Sequence, residues 1–204
     1  NSATGSGGAI YVENGSTLNF ESGTIEGNRA FVSGGGILID NSTAKITGGT
    51  ITSNAANYLG GGVAVRNGGT LEITGEVEIS YNRATNGSGI ALFGKGSIET
   101  SSSADGKKVQ IKENVAILSG GGVFAASSPE TVDGKLSIVA RLNLKGVDIQ
   151  GNEAQKFGGG ISLTTTDQNT NERNVTYDNI LKDDKENRIV GVAATIGSSE
   201  DSGS

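Results

Sequence analysis

Residues 33–56 read SGGGILIDNSTAKITGGTITSNAA, and the same order of features stands on either side of them. Residues 6–30 read SGGAIYVENGSTLNFESGTIEGNRA, and residues 59–84 read LGGGVAVRNGGTLEITGEVEISYNRA. Each copy runs through a glycine cluster, an aliphatic pair, a turn and two further apolar alternations. An Asn closes it, followed two places later by Ala. Anchored on the aliphatic after the glycines, the copies start at Ile10, Ile37, Val63, Ile90, Val123, Ile161 and, in weaker form, Val192. The early copies recur about every 26–27 residues, a period that belongs to solenoids. The later ones are longer and hold insertions near 101–107, 127–135 and 164–174.

Within a unit the apolar residues alternate in three short runs, each the length of a small strand. The first run pairs Ile10 with Val12, Ile37 with Ile39, Val63 with Val65, Ile90 with Leu92, and Ile161 with Leu163. The second pairs Leu18 with Phe20, Ala44 with Ile46, and Leu71 with Ile73. The third carries Ile25, Ile51, Ile79, Ile111, Ile149 and Ile180. Turn pairs such as Asn14-Gly15 and Asn67-Gly68 separate the first run from the second, and both residue types tolerate positive φ. So short a unit with three strands leaves no room for a helix, and neither a 3.6-residue period nor a leucine-rich consensus is present. The pattern predicts an all-β, right-handed parallel β-helix, a three-sided solenoid of about six to seven coils. Each coil rises by one interstrand spacing, roughly 4.8 Å. Residues 1–197 form one domain on this reading, and 198–204 a disordered tail.

The recurring Asn stands at Asn28, Asn54, Asn82, Asn114 and Asn152, with Ala30, Ala56, Ala84, Ala116 and Ala154 two places on. Copies of a repeat touch only their neighbours, so a residue held in every copy points to stacking. An amide side chain both donates and accepts, so these asparagines are expected to form an internal structural ladder. The Asn is also expected to supply the left-handed backbone of the corner. In the sixth copy Asp183 replaces Asn and Lys185 replaces Ala, so the regular core is expected to fray there. An ionised Asp accepts but does not pass a hydrogen bond onward. The segment GVAATIG (191–197) then supplies one last strand. The glycine clusters lack the following helix and the Lys-Ser/Thr of a phosphate loop, and read as tight corners where stacked backbones approach closely.

Composition removes several chemistries. The chain has 204 residues with 34 Gly and a single Pro, and it lacks the every-third-residue glycine of collagen. His and Cys are both absent, which excludes the commonest metal ligand, the thiolate nucleophile and disulfides. We therefore expect no cofactor and no metal site. A net charge of −6 without a basic cluster argues against nucleic acid and against anionic membrane. No apolar run is long enough to span a bilayer, so membrane attachment would come only through an anchor or barrel elsewhere. The opening NSATGSGG has neither an initiator Met nor a signal sequence, and the chain reads as a piece of a longer precursor.

In register, GGAI stands at residues 7–10, with GGGI, GGGV or SGI at later corners. Each third strand leads into IEGN (25–28), ITSN (51–54), ISYN (79–82), IKEN (111–114) or IQGN (149–152). This resembles the polymorphic outer-membrane protein repeats of bacterial autotransporters, whose hallmark is GGA with Ile, Leu or Val, paired with FxxN. Ile here stands where that family has Phe. The pattern is also similar to Gly-rich β-helix repeats on wall-anchored proteins of Gram-positive bacteria. The resemblance implies an exported passenger or stalk, displayed at the bacterial surface or released outside the cell.

Three functional classes were weighed. A carbohydrate-active β-helix enzyme needs paired carboxylates, or a Ca²⁺ cluster beside a basic residue. The outward acids Glu26, Glu72, Glu78, Glu99 and Asp148 read as scattered over different faces, so no catalytic residues are assigned. An ice-binding protein needs a long Thr array, whereas Thr24 and Thr50 stack alone. A non-enzymatic adhesin-like segment needs an exposed contact surface. On the first strand Tyr11, Leu38, Ala64, Ala91, Phe124 and Ser162 fall between the inward pairs, a largely apolar outward stripe. Tyr11, Leu38 and Phe124 are thus the candidate binding residues, and a host protein or glycan the expected partner. The sequence specifies no oligomeric state.

Overall fold

The computed structural model describes residues 1–127, 130–132, 135–137, 140–165, 175–178, 181–183 and 188–196. The inward alternation of β-branched residues folds into stacked parallel strands. The first face consists of Ile10–Val12, Ile37–Asp40, Val63–Arg66, Ile90–Phe93, Val123–Ser127 and Ile161–Thr165. Its register is unbroken: Ile10 pairs with Ile37, Ile37 with Val63, Val63 with Ile90, Ile90 with Val123, and Val123 with Ile161. The second face stacks Thr17–Phe20, Thr43–Ile46, Gly69–Thr74 and Gly96–Ser101, and the third Thr24–Glu26, Gly49–Thr52, Val77–Ser80 and Val109–Lys112. One strand, Ala140–Gln150, continues both faces in the fifth coil. The fold is a parallel β-helix. Its core is a column of Ile, Val and Leu in which Ile37, Ile51, Ile79, Ile98 and Ile111 are fully buried.

A fourth, very short strand closes each coil, beyond the three that periodicity predicts. Ser2–Ala3, Arg29–Ala30, Ala55–Ala56, Arg83–Asn86, Val115–Ser119 and Glu153–Ala154 form this short face. Four of these six strands have two residues and carry a single inward side chain, so they leave no alternation to detect. The inward residue is the recurrent Ala, with Ala30, Ala56 and Ala84 packed into a small cluster of their own.

The corner before the short face corrects one expectation. The left-handed residue is the one preceding each Asn, not the Asn itself. Gly27, Ser53, Tyr81, Glu113 and Gly151 have φ of 64°, 56°, 54°, 54° and 61°. The Asn side chain is then free to point inward. At the other turn, Asn14 and Gly15 (φ 60° and 73°) and Asn67 and Gly68 (φ 54° and 88°) do take positive φ. The glycine clusters are close-approach corners: a Cβ on Gly61 would lie 2.5 Å from the Arg83 carbonyl oxygen, and one on Gly62 2.7 Å from that of Gly89.

The parallel stack ends in the sixth coil. Arg188–Ile196 pairs antiparallel with Ala140–Gln150, and Val175–Asp178 and Leu181–Asp183 pair antiparallel with Arg188–Ile196. Val192 therefore lies in an antiparallel strand and starts no seventh coil. A parallel partner would have had to return over another full coil, and the chain turns back instead. Asp183 aligns with Arg188 in this antiparallel unit rather than with a ladder position. The insertion near 127–135 opens an antiparallel pair, Glu130–Val132 with Lys135–Ser137. Ile180, Lys185, residues 166–174 and the tail fall outside the described residues.

Candidate functional site

The asparagines bond to one another along the axis. Asn28, Asn54 and Asn82 each donate both backbone N–H and side-chain Nδ2–H to Oδ1 of the next Asn, at 2.9–3.1 Å. Asn114 does the same toward Asn152. The second Nδ2 hydrogen turns back to the Ile carbonyl of the preceding coil: Asn54 to Ile25, Asn82 to Ile51, Asn114 to Ile79, and Asn152 to Ile111. Asn54, Asn82 and Asn114 are fully buried. Asn1 is a further rung, donating to Asn28 Oδ1 from both nitrogens. Sequence reading passed over it because no glycine corner or Ile precedes it. These amides are spent on each other and offer a ligand nothing.

The stripe expected on the first face is not a free surface. Leu38 is completely buried, and Ala64, Ala91 and Phe124 are buried too. The glycine corner folds back over the strand it leads into: a Cβ on Gly34 or Gly120 would lie 2.9 Å from Cα of Leu38 or Phe124. Leu59, from the same kind of corner, packs against the cluster of Ala91, Phe124 and Ala126. Leu38 and Phe124 are thus packing residues. Tyr11 stays exposed at the first coil, with its hydroxyl donating to Asp40 Oδ2 at 3.2 Å. Asp40 also accepts from Arg66 Nε at 2.8 Å and Asn67 Nδ2 at 2.8 Å, and Arg66 Nη2 stands 2.7 Å away. Partial burial works against ionisation of Asp40, but the Asn67 and Arg66 hydrogen bonds, the Arg66 charge and Tyr11 outweigh it and hold its carboxyl below the ordinary value. The cluster clasps three successive turns together.

Among the outward acids the structure brings some together. Glu72 and Glu99 are register neighbours on the second face, which sequence reading treated as separate positions. They stand on an open surface, and Glu72 is bridged by Lys45 at 3.2 Å. Glu78, Gln110 and Asp148 form another outward column, next to Thr50. The Thr24–Thr50 stack therefore ends at Glu78.

Where the second and third faces meet, the loop of residues 101–108 walls an open polar groove of about 610 Å³, with Gly48, Gly49 and Gly75 on its floor and Glu21, Glu76 and Glu78 along it. Three of its four carboxylates lie beside a lysine. Lys107 Nζ lies 2.6 Å from Glu76 and 3.9 Å from Asp105, and Lys112 Nζ 2.9 Å from Glu78. Asp105 also accepts from the Ser103 hydroxyl, which chiefly lowers its pKa. For Glu78 burial opposes ionisation, yet the Lys112 and Ser80 hydrogen bonds and the Lys112 charge bring it below the ordinary value. A general acid needs a shift in the opposite direction. Among the described residues no group of three or more acidic side chains is placed to hold a metal ion.

The exposed apolar surface lies elsewhere. Among the described residues, five of the seven exposed large hydrophobic side chains flank the short face: Phe31 (59% exposed), Tyr58 (58%), Ile117 (52%), Phe157 (66%) and Tyr81 (58%). The first four fall three to five residues after a ladder Asn, on coils 1, 2, 4 and 5, and Tyr81 immediately precedes one. The signal was visible as apolar residues in a segment whose period-2 alternation is too short to assign an outward side.

Residues 1–13 match the model of the Chlamydia polymorphic membrane protein repeat. The match supports the likeness to polymorphic membrane proteins over that stretch. No curated protein matches the chain, and no solved structure does.

Proposed function

We propose that the chain is a non-enzymatic, adhesin-like β-helix segment of a bacterial surface protein, a passenger or stalk that presents one face of its rod to a host protein or glycan. The observation that carries this reading is the exposure of Phe31, Tyr58, Tyr81, Ile117 and Phe157, each within five residues of a ladder Asn. Contiguous exposed apolar residues mark contact surfaces. The periodic polar residues, by contrast, are bonded internally, and Glu76 and Glu78 in the groove are paired with lysines. The polymorphic membrane protein likeness at residues 1–13 adds a bacterial outer-membrane or cell-surface location.

The rival reading is a carbohydrate-active enzyme, for which the adjacent Glu72 and Glu99 are the one specific feature. Two assays separate them. The chain, immobilised on beads, is offered to cultured epithelial cells, and independently incubated with a panel of polysaccharides. Retention of cells with no new reducing or unsaturated ends is expected. Released sugar ends that disappear in Glu99→Gln would overturn the adhesin reading in favour of catalysis.

A further inference from the structure

The short face carries charge as well as apolar surface. Its strands pair Arg29 with Ala55, Ala55 with Arg83, Arg83 with Val115, and Val115 with Glu153, so these side chains form one outward column. Arg29 and Arg83 are exposed and stand two coils apart, about 10 Å along the axis. Among the described residues neither guanidinium takes part in an ion pair. In a chain of net charge −6, the first three coils of this face carry two cations beside exposed Phe31 and Tyr81, and its one acid, Glu153, stands in the fifth coil. Arg and Tyr are the residue types that dominate binding energy at protein interfaces.

Tyr81 supplies an independent pointer. It occupies the left-handed corner, φ 54°, which Gly27, Ser53, Glu113 and Gly151 fill in the other coils, and it is the bulkiest of the five. A bulky residue is disfavoured there, and its side chain points into solvent rather than into packing that would repay the strain. Residues kept in a strained conformation without structural return cluster at functional positions.

We propose that the short face is the docking surface for an acidic, apolar-bearing segment of a partner protein, with Arg29 and Arg83 meeting carboxylates and Phe31, Tyr81 and Ile117 meeting apolar side chains. A sulfated glycan would satisfy the arginines but would leave the aliphatic Ile117 and neighbouring Val115 without an apolar partner. This proposal rests on the adhesin-like reading and names the surface and the partner chemistry for it.

The probe is a fluorescent peptide in which Glu alternates with Leu, titrated into the 204-residue chain and followed by anisotropy. Saturable binding is expected, absent for the same peptide with Lys in place of Glu. The double variant Arg29→Glu/Arg83→Glu should weaken it at least tenfold. Tyr81→Gly should raise the urea midpoint while weakening the peptide several-fold, a combination that a merely structural role would not give. Unchanged affinity in both variants overturns the proposal, and so does equal binding of the Lys peptide. Tighter binding of a heparin oligosaccharide than of the Glu peptide, lost on arginine reversal, also overturns it by assigning the face to a glycan. The cell-retention assay keeps the two readings apart. Wild-type retention that is undiminished by arginine reversal sinks this face while leaving adhesion standing. Peptide binding without any cell retention does the reverse.

Discussion

Asn82 holds three coils at once. Its Oδ1 accepts from the backbone and side chain of Asn54, and its nitrogens donate to Asn114 Oδ1 and the Ile51 carbonyl. Asn82→Ala leaves two buried donors on Asn54 without their acceptor, and each such loss costs on the order of 1–3 kcal/mol. Urea unfolding should therefore show a loss of about 3 kcal/mol or more for Asn82→Ala, and a smaller one for Asn152→Ala, whose rung is only partly buried. Asp40 makes a pH-dependent contribution at the same scale. Its folded pKa lies below the ordinary value, so its stabilisation is complete above the unfolded aspartate pKa and is lost as pH falls through the lowered one. Stability measured from pH 7 down to pH 2 should drop in that acidic window, and Asp40→Asn should flatten the drop. The asparagines were legible in the sequence because their offset of three residues from the third-strand Ile survives every insertion. The identity of the left-handed residue was not, because Ser53, Tyr81 and Glu113 are not residue types that advertise positive φ.

At the scale of the element, two kinds of glycine do different work. Gly61 has ordinary φ, but a Cβ there would meet the Arg83 carbonyl oxygen at 2.5 Å and its nitrogen at 2.7 Å, both backbone atoms of the stacked coil. Gly15 has φ 73° with nothing within 4 Å of a built Cβ. Gly61→Ala should cost about 3 kcal/mol or more, since overpacking against backbone has no cheap relaxation. Gly15→Ala should cost about 1 kcal/mol, the left-handed backbone penalty alone. Thermal unfolding of the two variants distinguishes them. The first three faces were readable because four-residue strands show alternation. The short face was hidden, and with it the apolar residues that flank it. The stripe on the first strand was placed correctly as outward in the pleat, yet Leu38 and Phe124 are covered, because pleat geometry says nothing about what a glycine corner folds across.

Across the whole molecule, each coil depends on its neighbours, so stability is distributed as a sum of adjacent interfaces. Hydrogen exchange should follow that distribution: the amides of Asn54, Asn82 and Asn114, buried and bonded within the middle coils, should exchange slowest, and that of Ala3 in the first strand faster. Equal rates across the stack would show instead that the rod opens as a single unit. The rungs also share one sense. From Asn28 to Asn152 every side-chain oxygen faces the first coil, and from Asn1 to Asn114 every rung-to-rung donor faces the last. Aligned head to tail, these amides polarise one another, and each bond in such a chain is strengthened by perhaps 10–30%. The amide row accordingly has electrically unlike ends, partial negative toward the first coil and partial positive toward the fifth. A further coil of this kind can extend the row only in the same orientation, because an inverted amide would set oxygen against oxygen.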